Sequence, residues 1–366
     1  MDDVIRERKA DHIEICLNDD IQARKITTGF EDVHLVHKAL PEIDREKIDL
    51  SISLFGYKFS APMFVGAMTG GTTKATKINV ALAEAVEELK LGLCVGSQRI
   101  AIDNPKIEYS FNIVRKKAPT AFVLANVGGP QLVNKYGVKE ARKAVDMVQA
   151  NALAIHLNAL QEAVQPEGDT NYSGLIRRIG ELAQQLDVPV IVKETGAGIA
   201  AEDVKLLEDA GVAAIDVAGA GGTSWAAVEY YRAKARKDIF RELLGEVFWD
   251  WGLPTSISLV EAVQSANVPI IASGGIRNGV DITKALALGA SLVSATYPFL
   301  EPATKSSEDV KKVLLYLVEE VKNAMFLVGA NSINKLKNIP AVLTGKTAEW
   351  LRTRGFKPDV YARRRN

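Results

Sequence analysis

The chain is poor in cysteine and histidine. Its two cysteines, Cys16 and Cys94, lie far apart and form no CxxC or zinc-ligand spacing. That excludes a disulfide framework and a cysteine-based metal site, and it fits a reducing compartment. No stretch reaches the ~18 to 20 apolar residues that a membrane-spanning helix needs. The opening "MDDVIRERKADHIEI" is charged from its second residue and holds no secretory apolar core, so a cytoplasmic setting is expected. Neither charge is in excess: Lys+Arg and Asp+Glu both total 45. Bulk attraction to nucleic acid or to an anionic membrane is therefore not expected. The basic ending "ARRRN" reads as a frayed terminus. No low-complexity linker and no second autonomous core are visible.

What is present is a repeat. The chain has 366 residues, 47% hydrophobic and 25% charged, an ordinary globular composition. From residue 61 onward, short runs rich in Val, Ile and Ala recur: "APMFVGAM" (61–68), "LGLCVG" (91–96), "AFVLANV" (121–127) and "ALAIHLN" (152–158). The series continues with "VPVIVKE" (188–194), "AAIDVAG" (213–219), "VPIIASG" (268–274) and "SLVSAT" (291–296). Unbroken apolar runs are expected of parallel strands covered on both faces, and helical periodicity separates them. Eight such units predict an α/β fold of the (β/α)8 TIM-barrel type. A doubly wound open sheet is the alternative, disfavoured because no GxGxxG follows the first strand.

Two stretches break the repeat. Residues 1–60 form an N-terminal arm before the barrel at 61–366. An insertion at 220–268 follows the sixth strand and is about twice the usual connection length. It holds three of the four Trp and reads equally as a lid or an oligomer contact.

"ASGGIRNGVDITKALALGA" (272–290) carries the clearest ligand signal. Glycines let backbone N–H groups approach an anion, and a helix N-terminus favours negative charge. Arg277 can add a charge-assisted bond, and barrels commonly hold phosphate in the loops after strands seven and eight. In "ALAIHLNALQEAVQPEGD" (152–169), the period of two puts Ala154, His156 and Asn158 on one face and Ile155 and Leu157 on the other. The polar set would face the lumen near its mouth, with Gln161 and Glu162 at the rim.

The phosphate motif resembles that of FMN-dependent barrel enzymes. With "RKADHI" (8–13), "AMTGG" (67–71), "SQR" (97–99), "ANVG" (125–128), "HLNALQE" (156–162), "VKETGAG" (192–198) and "GAGGTSW" (219–225), the chain resembles the type 2, FMN-dependent isopentenyl-diphosphate isomerases from end to end. That resemblance implies interconversion of isopentenyl and dimethylallyl diphosphate by a 1,3-allylic proton shift, using reduced FMN, Mg²⁺ and NAD(P)H as flavin reductant. It implies FMN contacts from Ala67, Met68, Thr69, Ser97, Asn126, Lys193, Thr223, Gly275, Arg277, Ala295 and Thr296. Arg8, Lys9, His12, Ser97, Arg99, His156, Asn158 and Gln161 would bind the isoprenoid diphosphate. Glu162 would hold Mg²⁺; Gln161, His156, Asn158 and Lys193 would serve catalysis, and Trp225 would wall the isoprenoid. The resemblance also implies that the arm closes over the barrel mouth. A homotetramer or homo-octamer is expected, with no nucleic-acid or membrane partner. The rival on this fold, a 2-hydroxy-acid oxidase, needs a histidine base on the later strands, and no histidine follows His156. A purine nucleotide dehydrogenase needs a cysteine after strand six, where the chain has "GAGGTSWA".

Overall fold

A computed structural model describes residues 2–364, with side chains from Glu7 onward; the last two residues of the basic tail lie outside it. Eight parallel strands close into a barrel. They are β1 (Met63–Val65), β2 (Gly92–Cys94), β3 (Phe122–Gly128), β4 (Ala152–His156), β5 (Val190–Lys193), β6 (Ala214–Asp216), β7 (Ile270–Ala272) and β8 (Leu292–Ala295). Pairing of Val293 with Met63 and Ala295 with Val65 closes the ring between β8 and β1. All eight coincide with the predicted apolar runs; seven of the strands are shorter than their runs, and β3 matches its run in length, displaced by one residue.

Strand parity sorts the side chains into two cores. Phe64, Cys94, Phe122, Leu124, Ala152, Ala154, Ile191, Ala214, Ile271 and Leu292 fill the lumen. The alternating residues, such as Val65, Leu93, Val123, Leu153, Ile155, Val192 and Ile215, pack outward under the helices. Two residues further along each strand, on the lumen side, stand Gly66, Gly96, Asn126, His156, Lys193, Asp216, Ser273 and Ser294. The aliphatic lumen therefore ends in a polar or glycine layer at the C-terminal face, where barrel enzymes hold their sites.

The first sixty residues divide, and only part of them lies at the mouth. Helix α1 (Asp2–Asn18) and the segment after it lie there. An antiparallel hairpin, Ile52–Leu54 with Tyr57–Phe59, instead plugs the opposite end of the barrel. There Phe59 packs 4.7 Å from Tyr57 and 5.3 Å from Phe122, ring centre to ring centre. Between these, Val33–Leu35 pairs with Ala341–Leu343 and ties the arm to the C-terminal region.

The insertion is smaller than expected. After β6 come α2 (Trp225–Ala235) and α3 (Ile239–Val247), then α4 (Thr255–Ser265), which packs beside β7 as the barrel's own sixth helix. Only residues up to the turn before α4 are additional. At the other end of the chain, Arg364 donates to the Ala287 carbonyl (2.5 Å) and stacks on Tyr361, so that part of the basic tail is docked.

The plug yields a stability prediction. Phe59 is fully buried at the end remote from the mouth. Phe59→Ala is expected to lower unfolding free energy by about 3–5 kcal/mol through lost burial and a residual cavity, measured by urea denaturation.

Candidate functional site

Every residue named above as a site candidate lines one cavity at the barrel mouth, which encloses about 1680 Å³ with its open entrance included. The cavity has three regions.

One end is a glycine cradle. Gly274 and Gly275 follow β7 with φ of 99° and 66°, a backbone region that side chains rarely adopt. A Cβ on Gly222 would lie 2.3 Å from Gly275 Cα, and one on Gly275 would lie 2.4 Å from Thr28 Cγ2. The loops after β6 and β7 thus meet backbone to backbone, and only glycine permits the approach. Arg277 donates to Gln22 Oε1 (3.0 Å), Thr223 Oγ1 (3.4 Å) and the Ile276 carbonyl (3.2 Å), all neutral oxygens. Burial lowers this guanidinium to about 10. A buried cation bonded only to neutral groups leaves charge for an anion to neutralise. Beside it, Gln22 Nε2 is buried without a partner, although Gln22 spends its oxygen on Arg277.

The floor is the polar layer. His156 Nδ1 lies 2.8 Å from Asn126 Oδ1, while Asn126 Nδ2 donates to the Val95 carbonyl (3.0 Å). That network assigns the proton to Nδ1 and leaves Nε2 as an acceptor. Burial, with the nearby Lys193 charge, pushes His156 down to about 3, so the ring is neutral at physiological pH. Lys193 donates to the Glu194 carbonyl, and Ser273, just past β7, donates to Asp216 at the end of the adjacent β6 (2.5 Å). Ala67, Met68 and Thr69 form the adjoining wall; Gly96 sits so close to the Thr69 backbone that a Cβ there would meet it at 2.6 Å.

The other end lies under α1. Lys9 donates to the Ser97 carbonyl (3.0 Å) and stands 5.6 Å from the Phe111 ring centre; burial, reinforced by Arg8, lowers it to about 7. His12 Nε2 lies 2.9 Å from Glu229 Oε1, with its ring edge-on to Trp225 at 5.2 Å. Burial would raise the Glu229 carboxyl, but the His12 hydrogen bond and the Arg232 charge outweigh it and hold Glu229 at about 2. Burial also lowers His12. His12 and Arg232, the latter 2.5 Å away, together keep Glu229 ionised.

A chain of amides leads from that carboxylate. Gln161 Nε2 donates to Glu229 (3.2 Å), and Asn158 Nδ2 donates to Gln161 Oε1 (3.2 Å) and Glu162 Oε1 (2.9 Å). Glu162 Oε2 accepts from Gln165 Nε2 (2.5 Å) and the Asp169 N–H (2.7 Å). Oε1 accepts only the Asn158 bond among the described residues, and Glu162 lines the cavity. Asn158 begins a short helix (Ala159–Val164) and is not the last residue of β4, so it reaches the site from a turn.

These features match known proteins. A model of the FMN-dependent dehydrogenase family covers residues 1–103 and 131–340. The isopentenyl-diphosphate delta-isomerase of Methanosarcina barkeri is 51% identical over 97% of both chains. That of Pyrococcus furiosus is 52% identical over 95% of this chain and 89% of its own. The chain belongs to the isopentenyl-diphosphate delta-isomerase family. Among solved structures, a mandelate oxidase with (S)-mandelic acid aligns at a TM-score of 0.63 and 18% identity, covering 92% of this chain and 94% of that one. A lactate oxidase of Pediococcus acidilactici aligns at 0.62 and 18%, covering 88% of each. At that identity the likeness is one of fold alone.

Several residues that shape the site in this family member escape sequence reasoning. Glu229 and Arg232 are spaced i,i+3 on α2 and read as an ordinary surface pair, yet their side chains are almost wholly buried. Gln22 lies in a segment without periodicity. Asp216 was part of a strand, but nothing local marks its partner on β7. The only available signal was parity, which puts Asp216 on the lumen face as it does Lys193.

Removing the Glu229 partner tests the electrostatics. Arg232→Met should strand a buried carboxylate and cost about 3–5 kcal/mol of stability, read by denaturant unfolding. Glu229→Gln in the same background should recover much of the loss.

Proposed function

We propose that the protein interconverts isopentenyl diphosphate and dimethylallyl diphosphate by a 1,3-allylic proton shift, with reduced FMN and Mg²⁺. The observation that carries this reading is the pairing, in one cavity, of a glycine–arginine cradle at one end with a separate cationic cluster at the other. Two anionic groups are thereby invited at once: a cofactor phosphate and a substrate diphosphate. The relatives, named isopentenyl-diphosphate delta-isomerases, support the same assignment.

The residues fit FMN. The cradle that a Cβ would fill, Arg277 without a carboxylate bond and the unpartnered Gln22 amide suit its phosphate, with Thr223, Gly275, Ala295 and Thr296 around it. Ala67, Met68 and Thr69 offer a wall for the ring, Ser97 and Asn126 its polar edge, and Lys193 a cation. When bound and reduced by NAD(P)H, FMN supplies an electron-rich surface able to exchange a proton with the alkene. Mg²⁺ usually takes one or two carboxylates and completes its shell with water and phosphate oxygens. Glu162, a cavity-lining carboxylate whose Oε1 accepts a single hydrogen bond, suits that role.

The chain's own residues bind, orient and exclude water. Arg8, Lys9, His12 and Arg99 hold the diphosphate from the α1 side. His156, neutral, accepts at Nε2; Asn158 and Gln161 orient polar atoms along the substrate. Gln161, bonded to the ionised Glu229, places a polarised amide where a proton moves, and an ionised Glu229 acts there as a fixed charge. Trp225 and Met68 keep water from the developing cationic carbon. We place the enzyme in the cytoplasm as a homotetramer or homo-octamer.

The direct test is anaerobic incubation with isopentenyl diphosphate, FMN, Mg²⁺ and NADPH, omitting each in turn; conversion without flavin would overturn the reading. Glu162→Gln should raise the Mg²⁺ requirement while FMN stays bound, as seen by visible absorbance. Gln22→Ala should weaken FMN binding about tenfold, the order expected for one hydrogen bond involving a charged group. The Lys9 ammonium is present below about pH 7 and lost above it. Affinity for inorganic diphosphate should therefore fall through pH 7 relative to Lys9→Met, by calorimetry, with proton uptake on binding above pH 7. Equal pH profiles for the two proteins would remove Lys9 from the site.

A further inference from the structure

The arm crosses the glycine cradle with almost no regular structure of its own. Between the end of α1 at Asn18 and Phe30, its one strand-type pairing among the described residues is a bridge from Gln22 to Thr223. What fixes it comes from the turn after α3, in the sequence "FWDW" (248–251). Asp250 Oδ1 accepts from three successive backbone N–H groups: Arg24 (2.7 Å), Lys25 (3.1 Å) and Ile26 (3.4 Å). The Trp249 indole Nε1 donates to the Gln22 carbonyl (2.9 Å), and the Arg24 guanidinium lies over the same ring, 3.4 Å from its centre.

Three successive N–H groups meet one oxygen only where the backbone curls, an arrangement that in other loops forms an anion-binding concavity. Here a carboxylate of the chain itself fills it, and the curl is locked. Gln22, just before the curl, in turn sets Arg277. Its Oε1 accepts from the guanidinium (3.0 Å), which Thr223 approaches at 3.4 Å and the Tyr297 ring faces at 4.7 Å. Arg277 lines the cavity; Trp249 and Asp250 stand behind the arm and do not.

We infer that Trp249 and Asp250 form a clasp that presets the arm, so that Gln22 holds Arg277 in the orientation that receives the cofactor phosphate. Asp250 is a positioning residue for FMN binding and acts through Gln22. This rests on the cradle being the FMN phosphate site. The gain is preorganisation: an arm already curled loses no further conformational freedom when the anion arrives. The aromatic end of the insertion thereby serves as an anchor for the arm.

The contacts crowd around Gln22. On either side of it, the Ile21 carbonyl accepts from the Ser224 N–H (2.8 Å) and the Ala23 N–H donates to the Gly222 carbonyl (2.8 Å). Ile21 is fully buried in one apolar cluster with Ala227, Val228 and Trp249. Further along, a Cβ on Gly221 would lie 2.1 Å from the Thr27 carbonyl carbon, so the arm already rests against the loop after β6. With the backbone held from both directions, the Gln22 side chain is left to reach Arg277.

Titration of FMN into the full chain stripped of flavin, followed by flavin fluorescence, tests this. Asp250→Ala should weaken binding about three- to tenfold, the order of ordering one or two side chains on binding. Asp250→Asn, which keeps an acceptor oxygen, should recover most of that loss. Glu246→Ala removes only the half-exposed pair with Arg24 and should bind as the wild type does. Trp249→Phe keeps the ring and removes the bond to the Gln22 carbonyl; it should weaken binding too, and it carries the test if Asp250→Ala does not fold. In a Gln22→Ala background, either substitution should add less than about twofold, because the residue it acts through is gone. Full additivity there would mark the clasp as a general brace and overturn the inference. A wild type without affinity for FMN would overturn the cofactor site and the clasp together. FMN binding indifferent to Asp250 and Trp249 would overturn the clasp alone.

Discussion

The structure depends on one constraint: eight short strands must alternate between a lumen and an outer core, and the lumen must be filled. Below, aliphatic residues and the aromatic hairpin plug fill it. One step further along every strand the same parity presents glycine or a polar side chain. A closed barrel leaves no sheet edge where these groups could reach solvent sideways, so they gather at the mouth. The site is the top layer of the core, continued in polar residues.

Electrostatics at that layer is unbalanced by design of the fold. Arg277 and Lys9 are buried cations whose hydrogen bonds run to neutral oxygens, and both are pushed below their usual range. Glu229 is the exception, a buried carboxylate held ionised by Arg232. The hydrogen bonds of these two cations thus leave positive charge at both ends of one cavity, with carboxylates gathered near the second. The arm links the two ends: α1 supplies Arg8, Lys9 and His12, and Gln22, four residues past its end, bonds Arg277. Disturbing the arm is therefore expected to be felt at both.

Much of this was legible beforehand. Periodicity located all eight strands, and the alternation in β4 correctly separated Ala154 and His156 from Ile155 and Leu157. The motifs carrying the family resemblance fall at the mouth: a βα repeat puts every strand-end loop on one face, and α1 brings "RKADHI" to the same face. Other features were not legible. The hairpin plug looked like part of an arm that closes the mouth, since hydropathy does not say which end of a barrel a hairpin enters. The last helix of the insertion looked additional because loop length does not mark which of three helices continues the ring.

By itself the sequence determined the repeat, the parity of each strand and hence which side chains face the lumen, because these follow from local backbone geometry and burial of apolar surface. Only the tertiary structure decided which polar groups meet. Glu229 joins His12 and Gln161 across separations of 217 and 68 residues, and Gln22 joins Arg277 across 255. Such pairings arise when three loops and an arm converge on one rim. Their energy comes from shared burial, which no local pattern encodes.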